Sequence, residues 1–179
     1  MPEVADINAL DKEAFVGVLG RLFEHSPWIA AETFERRPFR DASVLHGELS
    51  ATVRRAPVER QLALIRAHPD LAGRLALAGG LTAESAKEQA GAGLDRLSPA
   101  ELAEFGRSNS AYRERFGFPF VICARLNDRK AILQAMEARL RNPPDEERAA
   151  ALAEIEKIAW LRLQDLLKTP ASGSGASER

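Results

Sequence analysis

The chain has 179 residues, enough for one domain with a core of its own. Its formal net charge is −1, with Lys and Arg spread along it, which excludes the basic footprint of a nucleic-acid binder. Apolar residues make up 45%, yet no run of about 18 of them exists to span a bilayer, and Cys123, being alone, excludes an internal disulfide.

In chain order, Phe15, Val18, Leu19, Leu22 and Phe23 recur at helical spacing and predict an amphipathic helix near residues 11–24. Ser26-Pro27 reads as N-cap plus first helical residue of a short helix carrying Trp28 and Ile29. Residues 43–55 read as helix with Val44, Leu45, Leu49 and Val53 inward, and Pro57 opens the next. That helix repeats Val58, Leu62 and Ile65 on one face. It should end at or just before His68, because Pro69 biases the preceding residue away from the α region. Asp70 is placed to cap a further helix over Leu71 to Leu77, stopping at Gly79-Gly80.

Thr82 caps the helical stretch Thr82 to Gln89, in which Ser85, Glu88 and Gln89 share one face. Ser98-Pro99-Ala100-Glu101 is a capping box with proline at the first helical position, and Gly117 is the matching stop. Phe116 to Cys123 is the one extended-looking stretch, aromatic and β-branched around Pro119. A single such segment makes no sheet, so it reads as a buried connection whose N–H groups need other partners. Asn127 or Asp128 caps a helix bearing Ile132, Leu133, Met136 and Leu140, and a last helix runs from about Asp145 to Lys168. The expectation is an all-α protein, an irregular single-domain helical bundle over 1–168 with one short extended segment near 118–124. A disordered Gly/Ser-rich tail is expected over 169–179.

Four places could carry chemistry, and each has a plainer reading. A histidine held at a forced corner suits a proton donor, but His68 also suits a simple helix-breaking turn. Arg162 falls among Ile155, Ile158, Ala159 and Leu166 on the apolar arc of its helix, so it is either a structural ion pair or a group facing a polar cavity. Ser85, Glu88 and Gln89 offer hydroxyl, carboxylate and amide, or merely an exposed face. The connection before Cys123 offers backbone N–H groups. His25 and His46 read as surface or interface groups. No metal-ligand spacing, phosphate loop or dinucleotide fingerprint occurs, and no base is named for Cys123 as a nucleophile.

Five stretches, in order, carry a resemblance: Phe23-Glu24-His25-Ser26-Pro27-Trp28, Ala67-His68-Pro69-Asp70-Leu71-Ala72-Gly73, Ser85-Ala86-Lys87-Glu88-Gln89, Phe116 to Cys123, and Ile158-Ala159-Trp160-Leu161-Arg162-Leu163. Together they resemble the 2-oxo-4-hydroxy-4-carboxy-5-ureidoimidazoline (OHCU) decarboxylase family, which forms (S)-allantoin on the route from urate. The resemblance implies an all-helical homodimer without metal or organic cofactor. It also implies that His68 is the proton donor, with Glu88 and Arg162 as catalytic partners, and that Pro69 adjoins and binds the substrate. Ser85, Ala86, Lys87, Glu88 and Gln89 would bind substrate, as would the backbone of Phe120, Val121, Ile122, Cys123 and Ala124.

Neither a basic leader at the N-terminus nor a peroxisomal ending at Ala176-Ser177-Glu178-Arg179 is present, so a cytoplasmic protein, touching neither membrane nor nucleic acid, is expected. The rival readings are another ureide-processing lyase or hydrolase on the same scaffold, and a non-catalytic helical interaction module.

Overall fold

The computed structural model describes residues 3–73 and 77–168; the expected tail lies outside them. Among the described residues every regular element is helical, as expected. The α-helices are α1 (Val4–Ala9), α2 (Lys12–Leu19), α3 (Trp28–Thr33), α4 (Ala42–Arg55), α5 (Val58–Arg66), α6 (Ala83–Gly91), α7 (Pro99–Phe116), α8 (Arg129–Arg139) and α9 (Pro144–Lys168), with 3₁₀ turns at Phe34–Arg36 and Ala124–Leu126. No helix among the described residues is long and apolar enough to cross a membrane.

Side-chain caps set many of the boundaries. Thr82 accepts from the Ser85 N–H, Asp128 from the Ala131 N–H, and Ser98 exchanges both capping-box bonds with Glu101. Gly117 ends α7 at φ 72°, a left-handed conformation that costs glycine nothing. Two boundaries before residue 30 differ from expectation. The helix expected to reach residue 24 stops at Leu19, because Gly20 lets the chain turn where a Cβ would sit 3.2 Å from Pro27 Cβ. Ser26 does not cap α3; its hydroxyl donates to the Glu24 carbonyl at 2.9 Å, and Pro27 occupies the cap position.

The chain forms two compact units, one of residues 3–55 and 159–168, the other of 56–73 and 77–158. In the first, Phe15, Leu19, Phe23, Ile29, Leu45, Leu49 and Leu163 are buried together with Phe39, which stacks on Phe15. Arg37 binds α1 into this unit, donating to the Asn8 and Leu10 carbonyls while lying 3.4 Å from the Phe34 ring centre. His25 is exposed; His46 is half-buried, edge-on to Trp160 at 5.2 Å.

The second unit buries Leu64, Ile65, Phe105, Tyr112, Phe118, Phe120, Ile132, Met136 and Ile155. Its buried α5 face is Gln61, Leu64 and Ile65, whereas Val58, expected inward, is 44% exposed at the first turn. The connection from Phe118 to Ala124 is buried at every residue and forms no strand, as expected of a lone extended stretch with no partner to pair with.

Candidate active site

His68 stands two residues past the end of α5 and is buried. Its N–H closes the last turn onto the Ile65 carbonyl at 3.1 Å, and its ring Nδ1 lies 2.9 Å from the Leu64 carbonyl oxygen. A carbonyl can only accept, so Nδ1 carries the hydrogen, and Nε2 is the atom whose protonation changes. The helix end thereby fixes both the tautomer and the ring plane.

The corner that follows is tied down from two helices. The Gln89 side chain on α6 accepts from the Ala72 N–H at 2.9 Å, and its amide nitrogen is 3.5 Å from the Asp70 carbonyl. From α7, Asn109 donates to the Leu71 carbonyl at 2.9 Å, and Arg113 Nε meets both Asp70 oxygens at 2.8 and 3.0 Å. Asp70 therefore pairs with Arg113 rather than capping a helix. Leu71 and Ala72 are turn residues, not the helix start expected; positions 74–76 lie outside the described residues. Ala72 adopts φ 50°, and a Cβ on Gly73 would come within 2.7 Å of Asp70 Cβ.

On α6, Ser85 and Gln89 are buried and Glu88 is half-buried, while Ala86 and Lys87 are exposed, so the face read from the spacing is present. α6 packs against the 3₁₀ turn at Ala124–Leu126. Burial pushes the Cys123 thiol up, and the carboxylates of Glu154 and Glu88 add to it. That suits a protonated side chain and not a nucleophile. The second unit thus brings together the His68 corner, the Ser85–Glu88–Gln89 face and the buried connection.

The connection's N–H groups are not all open to a ligand. Cys123 N–H donates to Glu154 at 2.9 Å, which removes it from the donors expected for a substrate oxygen. Arg162 belongs to the first unit. There its Nη1 meets Glu24 Oε2 at 3.1 Å, with side-chain exposures of 6% and 2%, so the ion-pair reading is observed. A groove of about 570 Å³ along α7 and α8, lined by Glu101, Glu104, Arg129 and Lys130 among others, contains none of the candidate residues. Among the described residues no three His, Cys, Asp or Glu side chains cluster to hold a metal ion.

A sequence model described as OHCU decarboxylase matches residues 8–164. The chain belongs to the OHCU decarboxylase family. A family member from Amia calva, named 2-oxo-4-hydroxy-4-carboxy-5-ureidoimidazoline decarboxylase, is 43% identical over 170 residues, covering 95% of this chain and 97% of that one. The Bacillus subtilis uric acid degradation bifunctional protein PucL is 39% identical over 162 residues, 90% of this chain but 32% of the larger protein. Among solved structures, (S)-allantoin synthase superposes with a TM-score of 0.76 at 28% identity, over 94% of this chain and 55% of that one.

Two side chains gain weight that spacing did not give them: Glu24 holds Arg162, and Glu154 holds Cys123 N–H. Gln89, already marked by its spacing, holds the corner after His68. Glu24 lies inside one of the five family-like stretches, and its place in an apolar neighbourhood was the available signal. Glu154 gave none, since its partner is 31 residues away.

Proposed function

We propose that this chain decarboxylates OHCU to (S)-allantoin, with His68 delivering the proton. Supporting this is a buried imidazole of fixed tautomer, tied through its corner to the α6 carboxylate face, in a member of this family. The substrate's name specifies a ring carbon bearing both hydroxyl and carboxylate, next to the ureido-bearing carbon. When the bond to the carboxylate breaks, carbon dioxide leaves and its electron pair enters the adjacent ring C=N unit, whose nitrogen takes up a proton from solvent, giving a neutral ene-ol. Protonation of the ureido-bearing carbon and loss of the hydroxyl proton then give the ketone of allantoin.

The chain's own tasks are orientation and one proton on one face. His68 Nε2–H delivers it, while Nδ1 stays bound to the Leu64 carbonyl and keeps the ring from rotating. Glu88 accepts ring or ureido N–H groups, with Ser85 and Gln89 beside it on α6. Backbone groups from Phe120 to Ala124 bind the ring amide edge. The family resemblance gives Arg162, ion-paired with Glu24, the part of binding a substrate carbonyl or hydroxyl. A tight hold on the departing carboxylate would stabilise the ground state and slow the reaction. The protein works in the cytoplasm as a homodimer, which sedimentation equilibrium checks.

The test is circular dichroism of freshly generated OHCU with and without protein. Optically active allantoin formed faster than the spontaneous reaction supports the proposal; an unchanged racemic decay refutes it. The variant His68→Asn should lose about 10²–10⁴ in rate and its stereocontrol while still binding (S)-allantoin. Unaltered rate and optical purity in that variant would remove His68 from the proton step.

A further inference from the structure

The connection that precedes Cys123 is gripped by two charged side chains on opposite sides of a single residue. On α8, the Arg139 Nη1 donates to the Val121 carbonyl at 2.7 Å. Its Nε and Nη2 donate to Glu147 Oε1 at 2.8 and 2.5 Å, and its guanidinium carbon lies 4.4 Å from the Phe120 ring centre. Glu147, at the start of α9, is fully buried and also accepts from Tyr112 Oη and, at 2.9 Å, from Asn142. On the other side, Glu154 Oε2 accepts the Cys123 N–H.

Peptide planarity turns these two bonds into a statement about Ile122. The Val121 carbonyl shares its plane with the Ile122 N–H, and the Cys123 N–H shares its plane with the Ile122 carbonyl. Both peptides are trans, so each gripped atom points its plane-mate the opposite way. Ile122 is buried, and among the described residues no hydrogen bond reaches its N–H or its carbonyl. Buried peptide groups are almost always paired, so this donor and acceptor are ready for a partner of amide or ureide type.

We propose that Arg139, held by Glu147, is a positioning residue that sets the Ile122 peptide edge against the substrate, with Glu154 as its counterpart. This rests on the reading that residues 120–124 bind the ureide. The guanidinium suits the task because one planar group serves the carboxylate with two nitrogens and the peptide with a third. Contact through a backbone edge is made to bound substrate and transition state alike, so losing it raises KM more than it lowers kcat.

The test compares wild type with Arg139→Met/Glu147→Gln, which removes the pair without leaving a charge buried alone, and with Arg139→Lys, which keeps a charge on Glu147 but not the fork. Amide NMR of the wild type with (S)-allantoin should shift residues 120–124. If it does not, the reading of the stretch as a binding site fails, and the positioning role with it. Given those shifts, the folded double variant should raise KM and the (S)-allantoin Kd about tenfold with kcat within about threefold. Arg139→Lys should fall between it and wild type, and it decides the matter if the double variant does not fold. Wild-type KM and Kd in a folded variant would make Arg139 a core ion pair and nothing more.

Discussion

Replacing Glu24 by glutamine keeps the side chain's shape and removes its charge, leaving the Arg162 guanidinium buried against a neutral amide. With exposures of 2% and 6% and a separation of 3.1 Å, the pair has little water to screen it. Removing one partner of such a pair costs about 3–5 kcal/mol, and the amide oxygen, still able to accept from Nη1, lowers that to about 2–4 kcal/mol. For a chain of this size each kcal/mol lowers Tm by about 2–4 °C, so Glu24→Gln should melt about 4–16 °C below wild type. Scanning calorimetry measures the drop. The double variant Glu24→Gln/Arg162→Met should recover at least about half of it, since no charge is then left buried. A drop under about 2 °C, or a double variant that melts lower still, would refute the reasoning.

Cys123 should resist a thiol reagent at pH 8 in the folded protein and react fully in denaturant, because burial and two carboxylates hold its thiol above the ordinary value. The same shift has a sign in stability. The folded thiol keeps its proton while the unfolded one loses it above about pH 8.5, so stability present below that pH declines as pH rises. Cys123→Ala, followed by urea melts from pH 7 to 10, should flatten that decline; an identical slope would show the thiol is not its source. Gly117→Ala should cost about 1–2 kcal/mol in urea unfolding, purely from the left-handed φ of 72°, since an added Cβ meets nothing within 4 Å. No loss at all would mean that α7 does not end in this conformation.

Local chemistry explains what the sequence discloses. Thr82, Ser98, Asp128 and Gly117 act on groups three or four residues away, so the boundaries of α6, α7 and α8 are readable from short windows. α1 escapes such a reading because six residues with only Ile7 buried carry no stripe, and Glu3 is not a usual cap residue. Val58 matched the periodic pattern, yet the first turn of α5 contributes Gln61 to the core instead. The His68 corner, the α6 face and the buried connection were legible as separate pieces. The bond that joins corner to face, Ala72 N–H to Gln89, and the one that anchors the connection to α9, Cys123 N–H to Glu154, depend on tertiary approach over 17 and 31 residues. Arg162 was legible as an anomaly in an apolar arc; its partner Glu24, 138 residues earlier, was not.

The crowding at Gly73 bears on how this enzyme can be re-engineered. A mutant library randomised at 72 and 73 should show opposite tolerances at adjacent codons. Ala72, left-handed already, gains from glycine or asparagine, whereas any side chain at 73 collides with Asp70 Cβ and loosens the Arg113 anchor. On the proposed reading of α6 as a substrate-binding face, broader substrate scope is better sought by trimming its side chains than by reshaping the loop that carries the imidazole.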